Sequence, residues 1–171
     1  NKLEGTNIKL ADTRKTTPGL RIFEKYAFKC GGGVNHRMGL YDAAMIKENH
    51  IAWTDNLNNA VKKIRLNSPF TTHIIIEAEN IEQAKEAVLA GADSVLLDEL
   101  SPEIIKKNVQ ELRDLSMNSL KKEVNKNLII EVSGINPEEI SKYLIKGIDL
   151  ISTSSSITKS NWIDLSMRYI N

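Results

Sequence analysis

THIIIEAENIEQAKEAVLAGADSVLLD, residues 72–98, contains two apolar strands that are joined by one helix. The β-branched run at 72–78 predicts a buried strand, residues 81–89 predict a helix that ends at Gly91, and residues 94–98 predict a second strand. Strand, helix and strand in this order form a βαβ unit, whose two strands lie parallel in one sheet. The stretch therefore predicts a parallel α/β fold.

The same alternation continues on both sides of this stretch and gives about six βα units. The other predicted strands are 8–11, 43–47, 128–132 and 148–152, and the other predicted helices are 20–29, 55–66, 102–115, 137–145 and 163–169. The polar segment 116–127 is interpreted as a loop or an extension of the helix before it.

One observation favours a βα barrel over an open nucleotide-binding sheet, and the chain length indicates that the barrel is incomplete. No G-x-G-x-x-G motif opens the first helix. A complete eight-stranded barrel takes about 250 residues, whereas this chain has 171. We therefore expect residues 1–171 to form one catalytic domain, a parallel βα barrel that is incomplete or open.

Composition excludes several other classes of protein. With 23 basic and 22 acidic residues the net charge is +1, which argues against a nucleic-acid-binding protein. No apolar run approaches the roughly 20 residues of a membrane span. The single cysteine excludes an internal disulfide framework and favours a cytoplasmic protein.

Polar side chains follow each predicted strand. In a parallel βα barrel the reacting groups lie at the carboxyl ends of the strands. The polar residues at those ends are Arg14 and Lys15, Lys47, Glu77, Asp98, Glu131 with Ser133 and Gly134, and Ser152 through Ser156. Their succession predicts one polar site at one end of the barrel.

The charges at these positions indicate the chemistry of a ligand. Arginine, lysine and histidine in the first half of the chain suit an anionic substrate. Two carboxylates, Glu77 and Asp98, suit Mg²⁺ bound together with substrate phosphates. Taken singly, the two carboxylates are also interpretable as helix caps, and Arg14 with Lys15 as an exposed turn.

Several motifs in order resemble quinolinate phosphoribosyltransferase, the carboxylating nicotinate-nucleotide pyrophosphorylase family. The motifs are DTRKTTPG (12–19), GGGVNHR (31–37), MIKENH (45–50), IEAEN (76–80), LLD (96–98), EVSG (131–134) and GIDLIS (147–152). The resemblance covers nearly the whole chain.

The resemblance implies a reaction in NAD biosynthesis. Quinolinate and phosphoribosyl pyrophosphate would give nicotinate mononucleotide, CO₂ and pyrophosphate, with Mg²⁺ as cofactor. It implies a catalytic group of Lys47, Glu77 and Asp98, the two carboxylates also holding the metal. The implied substrate-binding residues are Thr13, Arg14, Lys15, His36, Arg37, Lys47, Glu77, Asp98, Ser133, Gly134, Ser154 and Ser155.

Within that set the resemblance divides the roles. Quinolinate would contact Arg14, His36, Arg37 and Lys47; phosphoribosyl pyrophosphate and its metal would contact Lys15, Glu77 and Asp98; the 5′-phosphate would contact Ser133, Gly134, Ser154 and Ser155.

Three departures from the family pattern accompany the resemblance. Family members carry an N-terminal α/β domain, whose Arg enters the neighbouring subunit's pocket, and we expect that an upstream segment of this kind is missing here. The sequence has Ser133-Gly134-Ile135 where the family has Ser-Gly-Gly-Ile, and its last loop is altered at 153–159.

We expect a homodimer or larger assembly with the site near the subunit interface.

Two alternatives stay open at this point. One is a related phosphoribosyltransferase with another acidic aromatic acceptor, because the number of cations does not define the acceptor. The other is a catalytically impaired barrel that serves as a binding partner, because the phosphate loop is one glycine shorter.

Overall fold

A computed structural model describes residues 2–53, 56–119, 127–161 and 163–170. Its six strands form one sheet in the order β1-β6-β5-β4-β3-β2, and every neighbouring pair is parallel. The strands are β1 (Lys9–Ala11), β2 (Ala44–Ile46), β3 (Ile74–Ala78), β4 (Ser94–Asp98), β5 (Ile129–Ser133) and β6 (Leu150–Ser152).

Helices connect the strands along the chain. They are α1 (Arg21–Cys30), α2 (Glu48–Ile51), α3 (Leu57–Asn67), α4 (Ile81–Leu89), α5 (Pro102–Ser119) and α6 (Ser155–Thr158), with a 3-10 helix at Pro137–Tyr143. Asn56 and Asn80 cap α3 and α4, since each side chain accepts a hydrogen bond from a backbone N–H of the first turn.

The strand order is that of a βα barrel with one open seam. Successive strands from β2 to β6 are neighbours, and β6 pairs with β1. Within the described ranges no strand pairing joins β1 to β2. Val34, which precedes β2, instead bridges to Ala11 on the free edge of β1. The structure thus confirms the expected parallel, open barrel of six units.

The apolar core has two parts. The larger cluster lies between the strands and the helices and includes Ile76, Leu97, Val132 and Ile151, all fully buried. The smaller cluster, Ala43, Ile75 and Leu96 with Met45, lies on the other face of the strands. Both faces of the sheet are therefore covered, as the continuous apolar runs predict.

Two arginine–aspartate pairs fix the amino ends of the strands. Asp93, which precedes β4, accepts a hydrogen bond from the backbone N–H of Ile74 at 2.7 Å and forms an ion pair with Arg65. Asp149, which precedes β6, accepts one from Ile130 N–H at 2.7 Å and pairs with Arg113. The GAD and GID motifs (91–93 and 147–149) thus fix the amino ends of the strands. The polar residues lie at the opposite, carboxyl ends.

Several predicted elements differ from those observed. Residues 163–169 form no helix, because their apolar side chains are exposed and a helix there would gain no packing. The segment predicted as a helix at 137–145 is a 3-10 helix, whose three-residue turn places Ile140 and Tyr143 together against the core. Helix α2 was not predicted.

Two predictions fall partly on residues that lie outside the described ranges. Helix α5 extends to Ser119, so the first part of 116–127 continues the helix, whereas residues 120–126 lie outside the described residues. Asp55, the predicted start of the second helix, also lies outside them. No helix in the described ranges combines the length and apolar character that a bilayer crossing requires.

Candidate active site

A cavity of about 190 Å³ opens at the carboxyl ends of the six strands. Nine of the twelve predicted site residues line it: Thr13, Arg14, Lys15, His36, Arg37, Lys47, Glu77, Asp98 and Ser133. Met45 and Leu96, from the smaller apolar cluster, also line it. Larger cavities, of about 970 and 650 Å³, lie elsewhere on the surface and contain few of these residues.

A buried ion pair holds two of the site-bearing segments together. Asp12, at the end of β1, is fully buried and pairs with Lys25 of α1, which is 1% exposed. The same carboxylate accepts hydrogen bonds from the Asn35 side chain at 2.6 Å and the His36 backbone N–H at 2.8 Å. Lys25 also donates to the His36 carbonyl at 3.0 Å. This network fixes His36 and Arg37 beside β1.

The loop that carries Arg14 has its own supports. The Thr13 hydroxyl accepts a hydrogen bond from the Lys15 N–H at 3.0 Å, which turns the chain. Arg21, the first residue of α1, donates to the Arg14 carbonyl at 3.1 Å. These contacts leave the Arg14 side chain directed to the cavity that it lines.

Two guanidinium groups lie close enough to repel each other. Burial and the positive charge of Arg14 lower the pKa of Arg37 from its ordinary value. Arg37 donates to the Ala43 carbonyl at 2.8 Å, which anchors it at the floor of the cavity. Because repulsion between like charges is relieved by an anion, this part of the cavity is suited to a negatively charged ligand.

A lysine and two carboxylates form the other part of the cavity. Lys47, which follows β2, makes an ion pair with Glu77 of β3. Burial raises the pKa of Glu77, Lys47 lowers it through a hydrogen bond and its charge, and Asp98 raises it; the net direction is upward. The Lys47 side chain remains 41% exposed and lines the cavity.

Three predicted residues, Gly134, Ser154 and Ser155, do not line the cavity. Gly134 has a φ of +71°, and an added Cβ would lie 2.6 Å from Glu99 Cγ and 3.2 Å from Asp98 Oδ1. Glycine is therefore required for the close approach to β4. Ser154 and Ser155 lie beyond β6, at the start of the four-residue α6. Their contact with a phosphate stays a prediction.

The substrate-binding set that the resemblance implies omits Glu131 and Ser152, which also line the cavity. Both are among the polar residues that the sequence predicts at the strand ends. Glu131 is 1% exposed, and His36 Nε2 lies 3.3 Å from its Oε2. The signal in the sequence is a charged residue inside an apolar strand, since Glu131 interrupts the run of β5. The prediction also misses Asp12, Lys25 and Asn35, which contact site residues from behind.

Fold and site together define a parallel α/β-barrel domain with cations and carboxylates around one cavity at the carboxyl ends of its strands. Residues 1–168 match the family described as quinolinate phosphoribosyl transferase, C-terminal domain. The chain belongs to this family, which confirms the resemblance seen in its motifs.

Relatives with this family's activity in their names align with most of the chain. A probable carboxylating nicotinate-nucleotide pyrophosphorylase of Methanothermobacter thermautotrophicus is 42% identical over 94% of this chain and 55% of its own length. That of Bacillus subtilis is 39% identical over 96% of this chain and 53% of its own length. The chain thus spans about half the length of these relatives.

Solved structures agree with the fold. The crystal structure of NadC from Streptococcus pyogenes superposes with a TM-score of 0.82 at 37% identity, covering 98% of this chain and 55% of that one. The nicotinate-nucleotide pyrophosphorylase of Ehrlichia chaffeensis gives a TM-score of 0.78 at 34% identity, and the superposition covers 92% of this chain and 53% of that one.

Replacing Lys25 by methionine is expected to destabilise the protein. The substitution leaves the buried Asp12 carboxylate without its cation, and breaking a buried pair in this way costs about 3–5 kcal/mol. Urea unfolding measures the change in the free energy of unfolding. Lys29→Met, at an exposed position in the last turn of α1, is the matched control and should change it by less than about 0.5 kcal/mol. Equal effects of the two substitutions would contradict the assigned role.

The pKa of Glu77 should lie above its ordinary value and rise further in Lys47→Met, because Lys47 lowers it. A titration followed by NMR of the side-chain carboxyl carbon measures both values, with Lys85→Met as the control. Since folding raises this pKa, the group's contribution to stability is full below the unfolded pKa and is lost as the pH rises through the folded pKa. A lower pKa in Lys47→Met would refute the assignment.

Proposed function

We propose that this chain is the catalytic barrel of an enzyme that transfers the phosphoribosyl group of phosphoribosyl pyrophosphate to quinolinate. The products would be nicotinate mononucleotide, CO₂ and pyrophosphate, as the names of the relatives also support. The observation that carries the proposal is the single cavity lined by Arg14, Arg37, Lys47, Glu77 and Asp98.

The acceptor would lie against the cations. Quinolinate is a dianion, and the mutual repulsion of Arg14 and Arg37 favours a site that receives carboxylates. The exposed ammonium group of Lys47 and the His36 ring complete this side of the cavity. An apolar floor of Met45 and Leu96 suits the flat pyridine ring.

The donor would lie against Lys15, Glu77 and Asp98, with Mg²⁺ as its cofactor. Mg²⁺ is bound by one or two protein carboxylates, water and substrate phosphates. The carboxylates of Glu77 and Asp98 fit that donor set, and their repulsion contributes to the raised pKa of Glu77. When bound, the ion neutralises negative charge on the leaving pyrophosphate.

The reaction would need no covalent enzyme intermediate. Pyrophosphate leaves with the electron pair of its bond to the sugar, and Glu77 and Asp98 stabilise the positive charge that develops there. The ring nitrogen of quinolinate donates its lone pair to the same carbon and becomes a pyridinium. The bond to the 2-carboxylate then breaks, its electron pair stays on the ring carbon, and a proton takes the place of CO₂.

The 5′-phosphate would lie near the ends of β5 and β6. Ser133 lines the cavity there, and Ser154 and Ser155 begin the short segment after β6. The Ser155 N–H donates to the Thr153 hydroxyl at 3.1 Å, which turns the chain after β6. We propose Ser133, Gly134, Ser154 and Ser155 as the phosphate contacts.

The proposed enzyme would work in the cytoplasm as a homodimer or larger assembly. The single cysteine supports the compartment. Three exposed side chains of α1, Ile22, Phe23 and Tyr26, support an interface, since each is at least 69% exposed. Because α1 begins with Arg21, which contacts the Arg14 loop, the site would lie near that interface.

Turnover by the protein at its natural length tests the proposed function. Labelled quinolinate should release CO₂ only when phosphoribosyl pyrophosphate and Mg²⁺ are present. Arg14→Met and Arg37→Met should each lower kcat/KM by about 10- to 100-fold, mainly through the KM for quinolinate, because a charged contact is lost. Arg168→Met, in the exposed C-terminal segment, is the matched control. No release of CO₂ would refute the proposal.

The oligomeric state is tested by Phe23→Glu and Tyr26→Glu, which place charges in the exposed apolar face of α1. Sedimentation velocity should show a shift to smaller species together with a loss of turnover. Phe70→Glu is the control, since Phe70 is 97% exposed but lies before β3, at the opposite end of the sheet. An unchanged sedimentation coefficient in both α1 variants would show that this face is not the interface.

A further inference from the structure

Glu131 lies in the same row of side chains as Glu77. Glu77 is paired with Leu96 across β3 and β4, and Leu96 is paired with Glu131 across β4 and β5. Residues in register on neighbouring parallel strands direct their side chains to the same face of the sheet. Glu131 therefore faces the cavity that it lines, two strands away from Glu77.

One oxygen of this carboxylate has no partner. Glu131 is 1% exposed, and Oε1 is the single buried side-chain polar atom without a hydrogen bond in the part of the chain that the structure describes. A buried acceptor that is left unsatisfied destabilises a protein, because it has lost its hydrogen bonds to water. An atom of this kind at the wall of a cavity is explained when a bound ligand supplies the missing donor.

The other oxygen is already engaged. His36 Nδ1 accepts a hydrogen bond from the Arg37 N–H at 2.8 Å, so the ring proton lies on Nε2. That nitrogen faces Glu131 Oε2 at 3.3 Å. The His36 ring thus lies beside Oε2, and Oε1 remains for a ligand.

The chemistry of the proposed substrates selects the donor. A carboxylate oxygen accepts hydrogen bonds or binds cations. Quinolinate carries two carboxylates and an unprotonated ring nitrogen, so it has no donor to offer, and phosphate groups repel an acid. Among the described residues no group of three or more acidic, histidine or cysteine side chains is placed to hold a metal, so Glu131 does not join Glu77 and Asp98 around an ion. The sugar hydroxyls remain.

We propose that Glu131 Oε1 accepts a hydrogen bond from a hydroxyl of the ribosyl group and so distinguishes a ribosyl from a deoxyribosyl donor. The inference rests on the proposed function, since it assigns a further contact to the same substrate. It makes Glu131 a binding residue in its own right and not only a support for His36.

The test compares dissociation constants for phosphoribosyl pyrophosphate and its 2-deoxy and 3-deoxy analogues, with the protein at its natural length. In the wild type, loss of the contacted hydroxyl should weaken binding by about 10-fold. In Glu131→Gln the same loss should have less than about a 2-fold effect, because the charged acceptor is already gone. Glu86→Gln, at an exposed position on α4, should behave as the wild type.

Quinolinate binding separates this contact from an indirect role. Glu131→Gln keeps an oxygen that can face His36 Nε2 and removes one negative charge from the cavity, so the affinity for the dianion quinolinate should not fall. Weaker quinolinate binding with no change in the preference for the hydroxyl would overturn the inference. So would an effect of the variant that is present only with Mg²⁺, because the carboxylate would then act through the ion.

Two results need no variant to be decisive. A wild-type protein that binds both deoxy analogues as tightly as the parent compound overturns the inference alone, provided that it converts quinolinate. A wild-type protein that binds neither quinolinate nor phosphoribosyl pyrophosphate overturns the proposed function, and the inference with it.

Discussion

The buried ion pair between Asp12 and Lys25 is the contact on which the rest of the site depends. It joins β1 to α1, and the Asp12 carboxylate also accepts hydrogen bonds from the Asn35 side chain and the His36 backbone N–H. Two opposite charges are stable in an apolar interior only when their remaining hydrogen-bonding capacity is satisfied. Asp12 meets this condition with groups from the segment that carries His36 and Arg37, so burial of the pair and placement of the cations occur together.

The strand order separates the charges in the cavity by sign. The cations come from both sides of the open seam: Arg14 and Lys15 after β1, Arg37 in the segment along its edge, and Lys47 after β2. The acids Glu77, Asp98 and Glu131 come from three consecutive strands on the closed side. This division of charge agrees with the proposed pair of substrates, an anionic ring on the side of the cations and a sugar on the side of the acids.

A structural element or site residue can be predicted from the sequence when its signal lies within one segment of the chain. Strand β4 and helix α4 were predicted with their observed bounds. Strand β4 is an apolar run that ends at Asp98, and helix α4 ends just before Gly91. The strand-end rule likewise named eight of the residues that line the cavity, and the resemblance added three more. The eight are Arg14, Lys15, Lys47, Glu77, Asp98, Glu131, Ser133 and Ser152, and the three are Thr13, His36 and Arg37. The prediction of a helix at 163–169 was wrong, because the spacing of apolar residues does not reveal whether the rest of the fold offers a surface for them to pack against. Lys25 was missed for a related reason: a lysine on a helix is normally exposed, and only the tertiary fold buries it.

The seam between β1 and β2 has a consequence for local motion. The segment that carries His36 and Arg37 is attached to β1 through two backbone hydrogen bonds of Val34, one from its N–H to Leu10 and one to its carbonyl from Asp12. Separation of this segment from β1 breaks those two bonds and the hydrogen bonds of Asn35 and His36 to the buried Asp12, and it leaves the pairing of all six strands intact. Its amide protons should therefore exchange with solvent through a local opening that leaves the six strands paired, and the buried contacts of Asp12 set the free-energy cost of that opening.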